Sequence, residues 1–76
     1  MIRKEFKNYI ESIGFGEITG SYYIYNHQAV NVYQIYLFGD FYSFHNGTKW
    51  INYIDLKDLT VLKKIERSIK LKQILK

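Results

Sequence analysis

Seventy-six residues without a cysteine describe one small domain held together by packing, because disulfides and thiolate metal sites are excluded at once. The net charge of +4 is modest and unevenly placed. No apolar run approaches the roughly 20 residues that cross a bilayer and the N-terminus lacks a signal-peptide pattern, so a soluble cytoplasmic protein with no membrane partner is expected.

A chain this short buries only about 60% of the surface it exposes when unfolded. Its aromatic content of 18% is an efficient way to fill so small a core. Ile, Lys, Asn, Tyr and Phe dominate beside a single Ala, which points to an AT-rich coding sequence and a phage or another mobile element as the source.

From the N-terminus, Ile2, Phe6, Tyr9, Ile10 and Ile13 recur at helical spacing, with Arg3, Lys4, Lys7, Asn8 and Glu11 on the other side. The spacing predicts a helix over 2–13. Gly14 supplies the left-handed position that ends it, and Phe15 can fold back on the last turn.

Residues 18–54 are rich in β-formers and hold only Asp40 and Lys49 as charges. Breaks at residues 26–29, at Gly39-Asp40 and at Asn46-Gly47 divide the region into strands over 17–26, 29–38, 41–45 and 48–54. Two-residue turns then set Asn26 opposite Ala29, Phe38 opposite Phe41 and His45 opposite Thr48. In that register Ile18, Tyr22, Ile24, Tyr33, Ile35, Leu37, Tyr42, Phe44, Ile51 and Tyr53 form the core side. Tyr23, Tyr25, Tyr36, Phe38, Phe41 and Trp50 fall on the second face, which carries no charge. A solvated sheet face ordinarily holds Lys and Glu, so an uncharged aromatic one has the makeup of an interface. The plainer reading is that tyrosine pairs across exposed strands while its hydroxyl stays wet.

A second helix is expected over 58–75, with Asp55, Asp58 and Thr60 as candidate caps and Leu59, Leu62, Ile65 and Ile69 as its apolar stripe. Leu71, Ile74 and Leu75 project away from that stripe, and they are the candidates for contact with a second copy or for a frayed end. Residues 1–62 carry five basic and six acidic side chains, and residues 63–76 six basic and one acidic. Lys63, Lys64, Arg67 and Lys70 therefore form a candidate footprint for phosphates or an acidic surface, against the plain alternative of a solvated face whose cations suit a helix C-terminus. The architecture expected is α+β: helix, four-stranded antiparallel meander, helix, in one domain spanning 1–76 with both helices on one face.

Chemistry is sparse. His27 and His45 lie in or beside turns without the spacing of a metal centre, no serine has an acid-base partner, and Gly14 and Gly16 follow a helix instead of preceding one. No catalytic residue, metal or cofactor is expected. Gly14-Phe15 and the stretch Gly20-Ser21-Tyr22-Tyr23-Ile24-Tyr25 resemble the Gly-Phe and Gly-Ser-His-His segments of HicA-type toxins, and Lys63-Lys64 with Arg67 is similar to the paired lysines of double-stranded RNA-binding domains. The resemblance implies an RNA-directed fold, but tyrosine stands where the toxin carries its catalytic histidine. The first expectation is a small protein-binding module that inhibits a host defence protein or protein–nucleic-acid complex in the manner of anti-CRISPR proteins. The alternative is RNA or single-stranded nucleic-acid binding through the basic helix.

Overall fold

The computed structural model describes residues 3–27 and 31–74. Helix α1 (Arg3–Ile13) buries Phe6 and Ile10 and ends in a hydrogen-bonded stop: Phe15 N–H donates to the Ile10 carbonyl at 3.0 Å and Gly14 N–H to that of Glu11 at 3.1 Å. This is the paired 6→1 and 5→2 pattern that a glycine at the C′ position permits, and Gly14 takes φ 128° to make it.

Five antiparallel strands follow in meander order, β1 (Gly16–Thr19), β2 (Tyr22–His27), β3 (Asn31–Phe38), β4 (Phe41–His45) and β5 (Trp50–Asp55), and helix α2 (Thr60–Ile74) closes the chain. The expected α+β class with an antiparallel sheet is therefore present, with one strand more than the four anticipated. Gly20-Ser21 makes the additional turn, setting Thr19 opposite Tyr22 and dividing the long first strand in two.

Both helices cover the same face. The Phe6 ring lies 4.7 Å from that of Tyr42, the Tyr9 hydroxyl on α1 donates to Glu66 on α2 at 3.0 Å, and the Tyr42 hydroxyl donates to the Asp58 carbonyl before α2 at 2.7 Å. Asp58 also accepts the Thr60 N–H, as expected of a residue at the start of this helix, and that bond holds its carboxyl below the usual range. Leu62 and Ile69 are buried on the sheet side, with Leu59 and Ile65 packed beside them. No helix among the described residues is long and apolar enough to cross a membrane.

The register differs from the expected one in two places, with opposite consequences. Strands β2 and β3 pair Tyr25 with Tyr33 and His27 with Asn31, an offset of three residues from a two-residue turn, and an odd offset turns a strand over. Tyr23 and Tyr25 are consequently core residues, whereas Tyr22 and Ile24 lie on the other face. The cause is visible at the end of α1: the Tyr25 ring lies on Gly14, where a Cβ would sit 2.8 Å from Cε2, and packs 5.7 Å from Phe15. Strand β5 departs from expectation by an even number, His45 pairing with Trp50, so Trp50 keeps its face. The loop has four residues because Asn46 Oδ1 accepts from the Thr48 and Lys49 backbone N–H groups, both at 3.0 Å, which replaces the two-residue turn. Ile18 is also exposed instead of core.

Two tests of this packing follow. Gly14→Ala meets both a left-handed backbone and the Tyr25 ring, so it should lower unfolding stability by about 1–3 kcal/mol. Gly20→Ala, with nothing within 4 Å of the added carbon, should stay within about 0.5 kcal/mol of the parent in a urea titration. The second concerns pH. Burial, then donation to Glu66 and Glu17 respectively, pushes Tyr9 and Tyr23 up to about 12, and burial also raises Tyr42. The unfolded chain loses these protons near pH 10 while the folded one keeps them, so stability is full below pH 10 and falls above it. Urea midpoints measured across that range should decline, less steeply for Tyr23→Phe, and a flat profile would refute the assignment.

Candidate protein-binding face

With both helices on one side, the opposite side of the sheet has no cover among the described residues. Its geometry follows from the ladder. One row across the strands runs Tyr22, Tyr36, Ser43; the next runs Ile24, Gln34, His45, Trp50; a third runs Phe38, Phe41, Asp55. Rows on one face are separated by the rise of two residues, about 6.8 Å. Tyr36, Phe38, Phe41 and Trp50 are half exposed, at 50%, 37%, 41% and 42%.

The rings are braced as well as presented. The Tyr22 ring packs at a tilt 5.3 Å from that of Tyr36, and its hydroxyl donates to Gln34 Oε1 at 2.7 Å. His45 meets Trp50 edge-on at 5.1 Å, and its Nδ1 accepts the Gly47 N–H. Held rings lose little rotamer freedom on being covered, which favours binding.

Strand β5 contributes an irregularity that the sequence does not announce. Tyr42 pairs with Ile54 but Phe44 with Ile51, so two residues, Asn52 and Tyr53, stand opposite Ser43. Tyr53 takes φ 60°, the sole positive value at a non-glycine among the described residues. This bulge turns Tyr53, expected in the core, outward to 76% exposure and sends Ile54 inward in its place. Its ring then meets Phe38 edge-on at 5.7 Å. Because Ser43 is small, a shallow depression of about 300 Å³ lies above it, lined by Tyr36, Phe38, Ser43, Trp50 and Asn52.

Of the six residues expected on this face, Tyr36, Phe38, Phe41 and Trp50 are brought together there. Tyr23 and Tyr25 are not, being 0% and 7% exposed in the core. Tyr22 and Tyr53 were missed. The Gly20-Ser21 dipeptide, a known hairpin pair, was the available signal for Tyr22; no residue pattern marks the bulge that exposes Tyr53.

The cations lie elsewhere. Lys63, Lys64, Arg67 and Lys70 are exposed on α2, and three of them line a shallow depression with Tyr9 and Glu66. Lys70 pairs with Glu66 at 2.9 Å, and that contact with the Tyr9 hydrogen bond lowers the Glu66 carboxyl. Since α2 buries its other side on the sheet's inner face, the basic and aromatic surfaces are on opposite sides of a two-layer molecule. The self-association candidates Leu71, Ile74 and Leu75 lie outside the residues whose side chains the structure describes.

Compared with protein-family models, curated proteins and solved structures, the chain matches none.

The left-handed Tyr53 costs of order 1–3 kcal/mol, partly offset by about 0.5–1.5 kcal/mol of ring contact with Phe38. Tyr53→Gly should therefore leave unfolding stability unchanged or raise it by about 1 kcal/mol. A loss above about 2 kcal/mol in a urea titration would show that Tyr53 serves the fold and not the surface.

Proposed function

We propose that this protein is a small protein-binding module that docks a partner on the outer sheet face, with Tyr36, Phe38, Phe41, Trp50 and Tyr53 as anchors. The observation that carries the reading is the sidedness of the fold: both helices pack on one face, and the other presents clustered, braced rings with few charges. Aromatic anchors around a desolvated centre are what concentrates energy in protein interfaces. The chain's small size and its composition support a role as an inhibitor of a host defence protein, in the manner of anti-CRISPR proteins from phages and mobile elements.

Nucleic-acid binding is the second reading, supported by the exposed cations of α2. It ranks lower because stacked bases and held phosphates need rings and cations on one surface, and here a sheet and a helix lie between them. The resemblance to HicA-type toxins supports no cleavage chemistry: Tyr22 and Tyr23, at the positions of the toxin's histidines, lie on opposite faces, and Tyr23 holds its proton up to about 12.

The test compares two sets of variants in one capture experiment from host lysate and one titration with mixed RNA and DNA. Trp50→Ala and Phe38→Ala should each weaken partner capture by about 2 kcal/mol or more, and Lys63→Glu with Arg67→Glu should leave it intact. Binding of nucleic acid that collapses with salt and requires Lys63 and Arg67 would favour the second reading instead.

A further inference from the structure

Asn46 is the one asparagine of the chain that precedes a glycine; the other four precede Tyr, His or Val. In the loop between β4 and β5 its side chain reaches past Gly47. Oδ1 accepts from the Thr48 N–H at 3.0 Å, the Lys49 N–H at 3.0 Å and the Thr48 hydroxyl at 2.7 Å. A carbonyl oxygen has two lone pairs, so three donors are one more than the neutral amide suits, whereas they match the three lone pairs of an oxyanion. The intervening Gly47 N–H donates to His45 Nδ1 at 3.2 Å. A backbone N–H can only donate, so that nitrogen carries a lone pair and the neutral ring holds its proton on Nε2. A nitrogen that can attack, a base on its proton and a site for an oxyanion thus meet within residues 45–49.

We propose that this loop modifies itself: the Gly47 nitrogen attacks Asn46 Cγ and closes a succinimide ring. His45 Nδ1 takes the proton from the Gly47 nitrogen as the new C–N bond forms, and the negative charge that develops on Asn46 Oδ1 is held by its three donors. When that charge collapses the Cγ–Nδ2 bond breaks, and His45 hands the proton to Nδ2, which leaves as ammonia. Water then opens the ring at either carbonyl, giving an aspartyl or an isoaspartyl link; Gly47, Thr48 and Lys49 are exposed, so the loop is open to it. Glycine at 47 leaves the attacking nitrogen with no Cβ beside it. The isoaspartyl link lengthens the backbone by one carbon in the loop that sets His45 against Trp50, so the conversion alters one end of the aromatic face with time. A loop whose hydrogen bonds merely hold the Asn46 amide still has the opposite effect, slowing the reaction below its rate in the unfolded chain.

The experiment incubates the full chain at neutral pH, folded and in urea, and follows Asn46 by peptide mass mapping and isoaspartate detection. Asn52, which precedes Tyr53, is the internal control. The folded chain should convert Asn46 at least about tenfold faster than the unfolded one, with one ammonia released for each conversion. His45→Phe keeps a ring beside Trp50 but cannot take a proton, and it should bring the folded rate down to about that of the unfolded chain. Thr48→Ala removes one of the three donors and should slow conversion about tenfold. Circular dichroism of each variant confirms the fold, and the comparison of folded with unfolded chain needs no variant. The proposal is overturned by a folded rate equal to or below the unfolded one, by a His45→Phe chain that converts as fast as the parent, or by cleavage of the chain after Asn46 in place of ring opening.

Discussion

The Tyr25 ring rests on a backbone position with no side chain, and the orientation of the sheet depends on that contact. Gly14 ends α1 in a left-handed conformation and, lacking a Cβ, leaves the space the ring fills. With Tyr25 drawn inward, alternation along the strand carries Tyr23 in with it and turns Tyr22 and Ile24 out. The core is then completed by β3 and β4, whose Tyr33, Ile35, Leu37, Tyr42 and Phe44 all face the helices. One glycine thus links the local chemistry of a helix stop to the sidedness of the molecule.

Much of the fold was legible in the residues. The helical spacing of Phe6 and Ile10, the glycine stop, the Gly39-Asp40 turn with Phe38 opposite Phe41, and the stripe of Leu62 and Ile69 are all local signals, and each lies where its pattern places it. The outer face was legible in part. Tyr36, Phe38, Phe41 and Trp50 sit on strands joined by turns whose errors were nil or even in number. Tyr23 and Tyr25 were misassigned because the β2–β3 offset is odd, and the contacts that accompany it, Tyr25 on Gly14 and Phe15, join parts of the chain that no local pattern links. Tyr53 was beyond reach for a related reason: a bulge is a compromise between neighbouring strands and leaves little trace in the composition of either.

Charge and aromaticity are divided between the two layers. The helix layer carries the excess of Lys and Arg on its outer side, and the sheet layer carries rings and mostly neutral polar groups on its own, with Asp55 at one end of the face. Such a division allows an apolar surface on a basic chain while most of its cations stay on the other layer, in water. It also separates two properties that would reinforce one another in a nucleic-acid channel.

The bulge in β5 has a counterpart at the other end of the sheet. Strand β1 also loses register, between Glu17 and Thr19, and is only four residues long. These are the two outermost strands, whose unpaired backbone groups would otherwise template the stacking of chain upon chain into fibrils. A protein that leaves so many rings uncovered is especially exposed to that hazard. Kinks on both flanks interrupt the straight ladder such growth requires, so the borders of the sheet discourage endless assembly.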